Sequence, residues 1–184
     1  MSQILIAYFS ASGHTRQAAE TFARVCGGDL YEILPETPYT EADLDWHDAD
    51  SRSSREMKDP AARPALASAV PRLTQYDAVF VGFPIWWHEA PRIVQTFLEK
   101  LSLAGKTVVP FATSGESGMG NINDSLRRVA PSAQLINGRR IDPAISDSAA
   151  RMYIDSALLE AKGMRPKAGG KIMIKFLKEL FSKK

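Results

Sequence analysis

Within the stretch Ser10-Ala11-Ser12-Gly13-His14-Thr15 stand three hydroxyls, a glycine and an imidazole, directly after the apolar run Ile4 to Phe9. Together they offer anion binding. If a helix begins here, its first N–H groups lack intrahelical acceptors and its dipole favours negative charge. Gly13 lets the backbone approach closely, and the hydroxyls of Ser10, Ser12 and Thr15 can donate to phosphate oxygens without a lysine. His14 adds either a charge-assisted bond or a solvated ring. The plainer reading of the same residues is a Ser/Thr-rich helix cap. Motif excludes other phosphate sites: there is no G-x-x-x-x-G-K-[ST], and no G-x-G-x-x-G follows the first strand. Gly115-Glu116-Ser117-Gly118-Met119 approaches the G-x-S-x-G of serine hydrolases but has Met in place of the final glycine.

Two further stretches carry chemistry. Phe83-Pro84-Ile85-Trp86-Trp87-His88-Glu89-Ala90-Pro91 holds two of the chain's three tryptophans just after an apolar run. A planar heteroaromatic ligand can lie against an indole, gaining roughly 0.5 to 1.5 kcal/mol beyond area burial. We expect one of the two indoles to pack under the loop and the other to meet ligand. Thr113 to Gly120 contains Gly115, Gly118 and Gly120 beside Ser114 and Met119. Its backbone can approach a ring edge-on and offer N–H and C=O groups to a pyrimidine-like edge; taken alone it is a flexible loop.

These stretches need elements to position them. The opening residues Gln3 to Ser10 read as a buried strand, and Ala18, Ala19, Phe22, Ala23 and Cys26 mark a helix face that stops at Gly27-Gly28. Asp29 to Pro35 reads as a second strand. Glu36 to Pro64 is polar and aperiodic, a long excursion, and Ala65 to Leu73 is a weak helix candidate. A third strand covers Asp77 to Gly82, and Ile93, Val94, Phe97, Leu98 and Leu101 mark a helix after Pro91. Thr107 to Ala112, Ile122 to Ala130, Gln134 to Asn137 and about Asp147 to Lys162 follow as strand, helix, strand and helix. Five apolar strands alternating with helices predict an α/β fold, a parallel sheet covered on both faces. Ligands of such sheets bind at the carboxyl ends of the strands, where all three stretches fall.

A phosphate at one end and a flat aromatic system at the other describe flavin mononucleotide (FMN). The chain resembles the flavodoxin-like family over residues 3 to 162: Ser10-x-Ser12-Gly13-x-Thr15 is similar to its phosphate loop, and Pro84-Ile85-Trp86-Trp87 to the flavin-ring loop of its compact branch. The resemblance implies a three-layer sandwich with sheet order 2-1-3-4-5. It also implies that Trp86 stacks on the flavin, that Pro84 to Trp87 line the ring and that Ser114 to Gly120 close over its polar edge. Three positions depart from the pattern, His14 where Asn is common in the phosphate loop, His88 where glycine is frequent and Met119 where an aromatic would cover the second ring face. The implied function is electron transfer through a non-covalent FMN to a redox partner protein. The alternative is an NAD(P)H-dependent oxidoreductase acting on a quinone or similar small acceptor. For that reading, Arg52, Arg55, Lys58 and Arg63 in the excursion offer cations for a nucleotide phosphate.

Composition narrows the class. At 45% hydrophobic and 24% charged, the 184 residues fit one globular domain, here 1–162, followed by a basic tail, 163–184. The lone Cys26 argues against disulfides and cysteine metal cages, and with the absence of a basic leader it leads to the expectation of a cytoplasmic protein. Cations are concentrated in the tail, which carries a net +6 and leaves −4 for residues 1–162 of a chain whose formal charge is +2. No nucleic-acid footprint covers the body. As a helix, 171–184 would set Met173, Phe176, Leu177 and Leu180 against Lys171, Lys175 and Lys178, able to contact an anionic membrane surface, its own body or a second subunit in a homodimer. No metal-ligand spacing is present among His14, His47 and His88.

Overall fold

The computed structural model describes residues 3–164, so the tail segment read above as an amphipathic helix lies outside the described residues. The elements run β1 (Ile4–Tyr8), α1 (His14–Cys26), β2 (Asp29–Glu32), α2 (Arg52–Lys58), β3 (Ala78–Pro84), α3 (Arg92–Lys100), β4 (Thr107–Thr113), α4 (Ile122–Val129), β5 (Gln134–Leu135), β6 (Arg139–Arg140) and α5 (Asp147–Ala161). The sheet is parallel throughout, in the order β2-β1-β3-β4-β5, with β6 continuing alongside β4. This is the expected α/β sandwich.

Side-chain alternation along each strand builds the two cores. Leu5, Ala7 and Phe9, with Val79, Val81 and Phe83, face α3 and α4; Ile4, Ile6 and Tyr8, with Ala78 and Phe80, face α1 and α5. Strands buried on both faces have no polar side to show, which is why they read as continuous apolar runs. On the second face Phe22 of α1 is fully buried against the rings of Phe111 and Tyr153, at centroid distances of 4.6 and 5.6 Å. Burying one such side chain contributes about 1.5–3 kcal/mol. No helix among the described residues is long and apolar enough to cross a membrane.

The fifth strand differs from its expected span, Gln134 to Asn137. It is broken into β5 and β6, and the cause lies in β4. Ile136 N donates to Val108 O at 2.9 Å and Ile141 N to Ala112 O at 2.8 Å, so alternate residues of β4 turn their polar groups to this edge. Pro110 stands midway between them and has no N–H to give. At the break Gly138 lies flat against it; a Cβ there would sit 2.3 Å from Pro110 O. Gly138 turns to the Asn123 amide instead, donating to Oδ1 at 2.8 Å and accepting from Nδ2 at 3.3 Å. The Pro110 carbonyl accepts from the Tyr153 hydroxyl at 2.6 Å.

The excursion is more ordered than its composition suggests. It contains a 3-10 turn, Ala42–Leu44, and α2, which Ser51 caps by accepting from Ser54 N at 3.2 Å. Buried Arg92, in the first turn of α3, donates to the carbonyls of Glu56, Met57 and Asp59 at 3.0–3.3 Å, satisfying the open end of α2. The helix expected over Ala65 to Leu73 does not form. Its start pairs antiparallel with the chain after β2: Glu36 N donates to Ala65 O and Ala67 N to Leu34 O, both at 2.9 Å. That ladder satisfies the backbone groups a helix would have used, and it leaves β2 at four residues, shorter than the expected Asp29 to Pro35.

Candidate functional site

The ends of β1, β3 and β4 bring the three stretches to one end of the sheet. Phe9 N donates to Gly82 O at 2.9 Å and Ile85 N to Thr113 O at 3.0 Å, so the first hydrogen bonds beyond the regular ladders tie the loops to their neighbours.

In the first stretch Gly13 takes φ 88°, a conformation suited to glycine, and α1 starts immediately after it. Ser10 Oγ accepts from Gly13 N at 3.1 Å and from Arg16 N at 3.2 Å. The N–H groups of His14 and Thr15, in the first turn of a 13-residue helix, are left without a protein acceptor. Ser12, Gly13 and His14 are exposed around them. Thr15 is different: its hydroxyl is buried and lies 2.8 Å from the Thr113 hydroxyl. The expected phosphate donor Thr15 thus has its side chain facing inward, while its backbone N–H remains in the cradle.

The second stretch is a tight turn. Trp86 N donates to Glu89 O at 3.0 Å and Glu89 N to Trp86 O at 2.9 Å, closing two residues, Trp87 at φ 45° and His88 at φ 63°. Positive φ at both central positions is the signature of the hairpin turn that usually demands Asn or Gly. Trp86 is half-buried, edge-on to Phe9 and to Tyr39 at 5.5 Å each; Trp87 is 44% exposed. One indole is packed and one open, but the packed one is Trp86, which the resemblance sets against the flavin, and the open one is its neighbour Trp87. Pro84 and Ile85 are half-buried beneath the turn. Glu89 Oε2 is buried without a hydrogen-bond partner.

The third stretch is folded back by Ser114, whose hydroxyl donates to Ser117 O at 2.7 Å, and Arg140 donates to Glu116 O at 3.3 Å. Gly115 and Gly118 are exposed with nothing within 4 Å of a notional Cβ, and Gly120 takes φ 43° just before α4. Met119 packs on the α3–α4 core.

Sequence reasoning missed Tyr39. It comes from the aperiodic excursion, yet its ring braces both Phe9, at 5.8 Å, and Trp86. Its hydroxyl donates to Glu56 Oε2 at 2.5 Å, and the Arg52 guanidinium lies 4.1 Å over its ring. Burial, and then the Glu56 carboxylate, push the Tyr39 phenol well above its ordinary range, so it stays a neutral donor. Three of the four excursion cations have work of their own, while Arg55 is exposed. Arg52 donates to Thr37 O and Glu56, Lys58 to Ala49 O, and Arg63 makes a two-pronged pair with Glu99 at 2.8 Å. No group of three or more His, Cys, Asp or Glu among the described residues could hold a metal ion.

The flavodoxin family model matches residues 3–157. The chain belongs to the flavodoxin family. Among solved structures, a protein from Bacteroides eggerthii assigned to the flavoproteins is 51% identical with a TM-score of 0.80, covering 84% of this chain and 97% of its own. One from Bacteroides uniformis, likewise assigned, is 47% identical with a TM-score of 0.80, over 84% of this chain and 98% of that one. The flavoprotein of Lactobacillus acidophilus, solved in complex with FMN, shares the fold at 20% identity and a TM-score of 0.60, over 82% and 99% of the two chains. No curated protein matches. For a flavodoxin-family chain, the residues at the strand ends fit the cofactor of the resemblance. Unpaired N–H groups surround an open glycine at a helix start, an open indole stands at the end of β3, and an unobstructed glycine-rich loop follows β4.

Proposed function

We propose that this flavodoxin-family protein binds FMN without a covalent bond and serves as an electron carrier. The observation that carries the reading is the convergence of the unpaired His14 and Thr15 N–H groups with the Trp86-Trp87 turn at one end of the sheet. FMN supplies the redox chemistry, and the chain supplies placement. The N-terminus of α1 and the Ser12 hydroxyl hold the phosphate, Gly13 leaving room for its approach. Trp86 and Trp87 flank the ring, with Trp86 held in place by Phe9 and Tyr39. The Ser114 to Gly120 backbone offers donors and acceptors to the polar edge of the ring and keeps water from it. The FMN complex of the Lactobacillus relative supports the cofactor at the level of fold.

The carrier reading is favoured over a nicotinamide-dependent oxidoreductase by the excursion. Three of the four excursion cations, Arg52, Lys58 and Arg63, are already engaged within the protein, which leaves the exposed Arg55 as the one of the four open to a nucleotide phosphate. The test is to titrate the protein with FMN, then add NADPH or NADH without oxygen and follow flavin absorbance near 450 nm, a common flavin maximum. The expected result is stoichiometric binding with a flavin that stays oxidised until a protein reductase is supplied. Fast bleaching by either nucleotide would replace the carrier with the oxidoreductase. Trp86→Ala should weaken FMN binding by about two- to tenfold, the worth of one stacking contact, and Ser12→Ala should weaken it through the phosphate. Unaltered titrations of both variants would move the site elsewhere.

A further inference from the structure

Along β4, Val109 and Phe111 face α1 and α5, and the next residue on that face is Thr113. A hydroxyl appears where the apolar series would continue because the facing atoms there belong to the first turn of α1. Thr113 and Thr15 are 3% and 1% exposed, and their hydroxyls, 98 residues apart in sequence, meet at 2.8 Å. No other side-chain hydrogen bond joins the Ser10–Thr15 loop to β4 or to the stretch that follows it among the described residues. The carbonyl of Thr113 accepts from Ile85 N, the residue that opens the tryptophan turn, and Ser114 begins the glycine loop. One residue thus touches all three stretches: the phosphate cradle by its side chain, the tryptophan turn by its carbonyl, and the glycine loop by continuity of chain.

We infer that Thr113 is a positioning residue that sets the first turn of α1, through Thr15, at a fixed distance from the ring-binding loops. Phosphate and ring of one FMN molecule are thereby bound together. The inference rests on the FMN reading. A pair of buried hydroxyls fixes one spacing, because a shift in either direction leaves a hydrogen-bonding group buried and unpaired. Two apolar side chains in the same place would tolerate sliding. The cradle contributes mainly backbone N–H groups, whose usefulness depends on where the helix turn stands, so the effect of the pair should fall on the phosphate and spare the ring.

The test compares FMN with riboflavin, which has the ring and lacks the phosphate. Wild-type protein, Thr113→Val, Thr113→Ser and Thr15→Val are titrated with both ligands, with thermal unfolding to check the fold. Thr113→Val should weaken FMN about tenfold, the loss expected from one buried hydrogen bond in the linkage, and leave riboflavin unchanged. The preference for FMN over riboflavin then falls by the same factor. Thr113→Ser, which keeps the hydroxyl, should restore it. Thr15→Val should reproduce the loss from the other side, and the double variant should add nothing further. Equal weakening of both ligands, unchanged FMN binding in the valine variants, or failure of serine to restore the preference would overturn the inference. Wild-type protein that binds neither ligand would overturn the cofactor reading, and this inference with it.

Discussion

The cradle at Ser10–Thr15 and the turn at Trp86–Glu89 both reverse the chain beyond a strand end, and both need positive φ, but they meet that need differently. The cradle places glycine at φ 88°, where it is unstrained. The turn places Trp87 and His88 at 45° and 63°, at a cost of about 1 kcal/mol or more for each such residue. At Gly13 the cradle offers only a backbone group, so a residue without a side chain gives up nothing at that position. The turn works through side chains, and the glycine that would make it easily would have no ring to offer. On the proposed reading, strain is accepted where a large side chain is to meet the ring. Outside bracing then becomes necessary: the cross-turn pair of hydrogen bonds and the rings of Phe9 and Tyr39 supply it.

The comparison can be broken at several points. The largest effect should come from Tyr39→Ala, which removes the brace, the Arg52 contact and the Glu56 hydrogen bond together. A loss of about 3 kcal/mol is expected, read from urea unfolding, and a loss below a third of that would mean the turn holds itself. Next is Gly13→Ala. Nothing lies within 4 Å of the Cβ the alanine would add, so the expected loss of about 1–2 kcal/mol is purely conformational; a neutral result would show that the cradle tolerates another backbone shape. His88→Gly should go the other way and stabilise by up to about 1 kcal/mol as strain is released, visible as a higher melting temperature. A lower one would locate the strain in Trp87 alone.

The smallest effect concerns the tether between excursion and α3. The Arg63 hydrogen bonds hold the Glu99 carboxyl below its ordinary 4.5. A carboxyl whose folded value is depressed contributes stability in full above its unfolded value, and loses it as pH falls through the folded value. The pair is partly exposed, so Glu99→Gln should cost only a few tenths of a kcal/mol at pH 7. The gap between variant and wild type should close as pH falls through the depressed folded value; a gap that persisted in acid would mean the amide disturbs packing rather than charge.

Most of the strand-loop-helix junctions were legible in the sequence because each depends on local signals. Ile4 to Phe9 is apolar throughout, Ala18 and Phe22 keep helical spacing, and Gly27 stops α1 at φ 67°. The three stretches of the candidate site follow strands, and the parallel-sheet rule places them together without further information. Tyr39 was illegible because nothing periodic surrounds it; its role arises from Arg92, Arg63 and the Leu34–Ala67 ladder, which hold the excursion to the body. The break in the fifth strand had a local cause, Pro110, but in the neighbouring strand, and register between strands is not written in either alone. Likewise Thr15 reads as one more hydroxyl of the cradle until its partner 98 residues away is known.

The interruption beside Pro110 also bears on how the molecule behaves in a crowd. An open sheet presents two bare rails of N–H and C=O groups on which a foreign strand can nucleate. Here one rail is cut into two-residue pieces, with Gly138 turned inward and Arg139 and Arg140 exposed beyond the gap. The other, β2, is four residues long with an acid at each end, Asp29 and Glu32. Neither offers an unbroken, uncharged length for docking, so a sheet whose interior strands are almost wholly apolar is screened at both borders from templating its own aggregation.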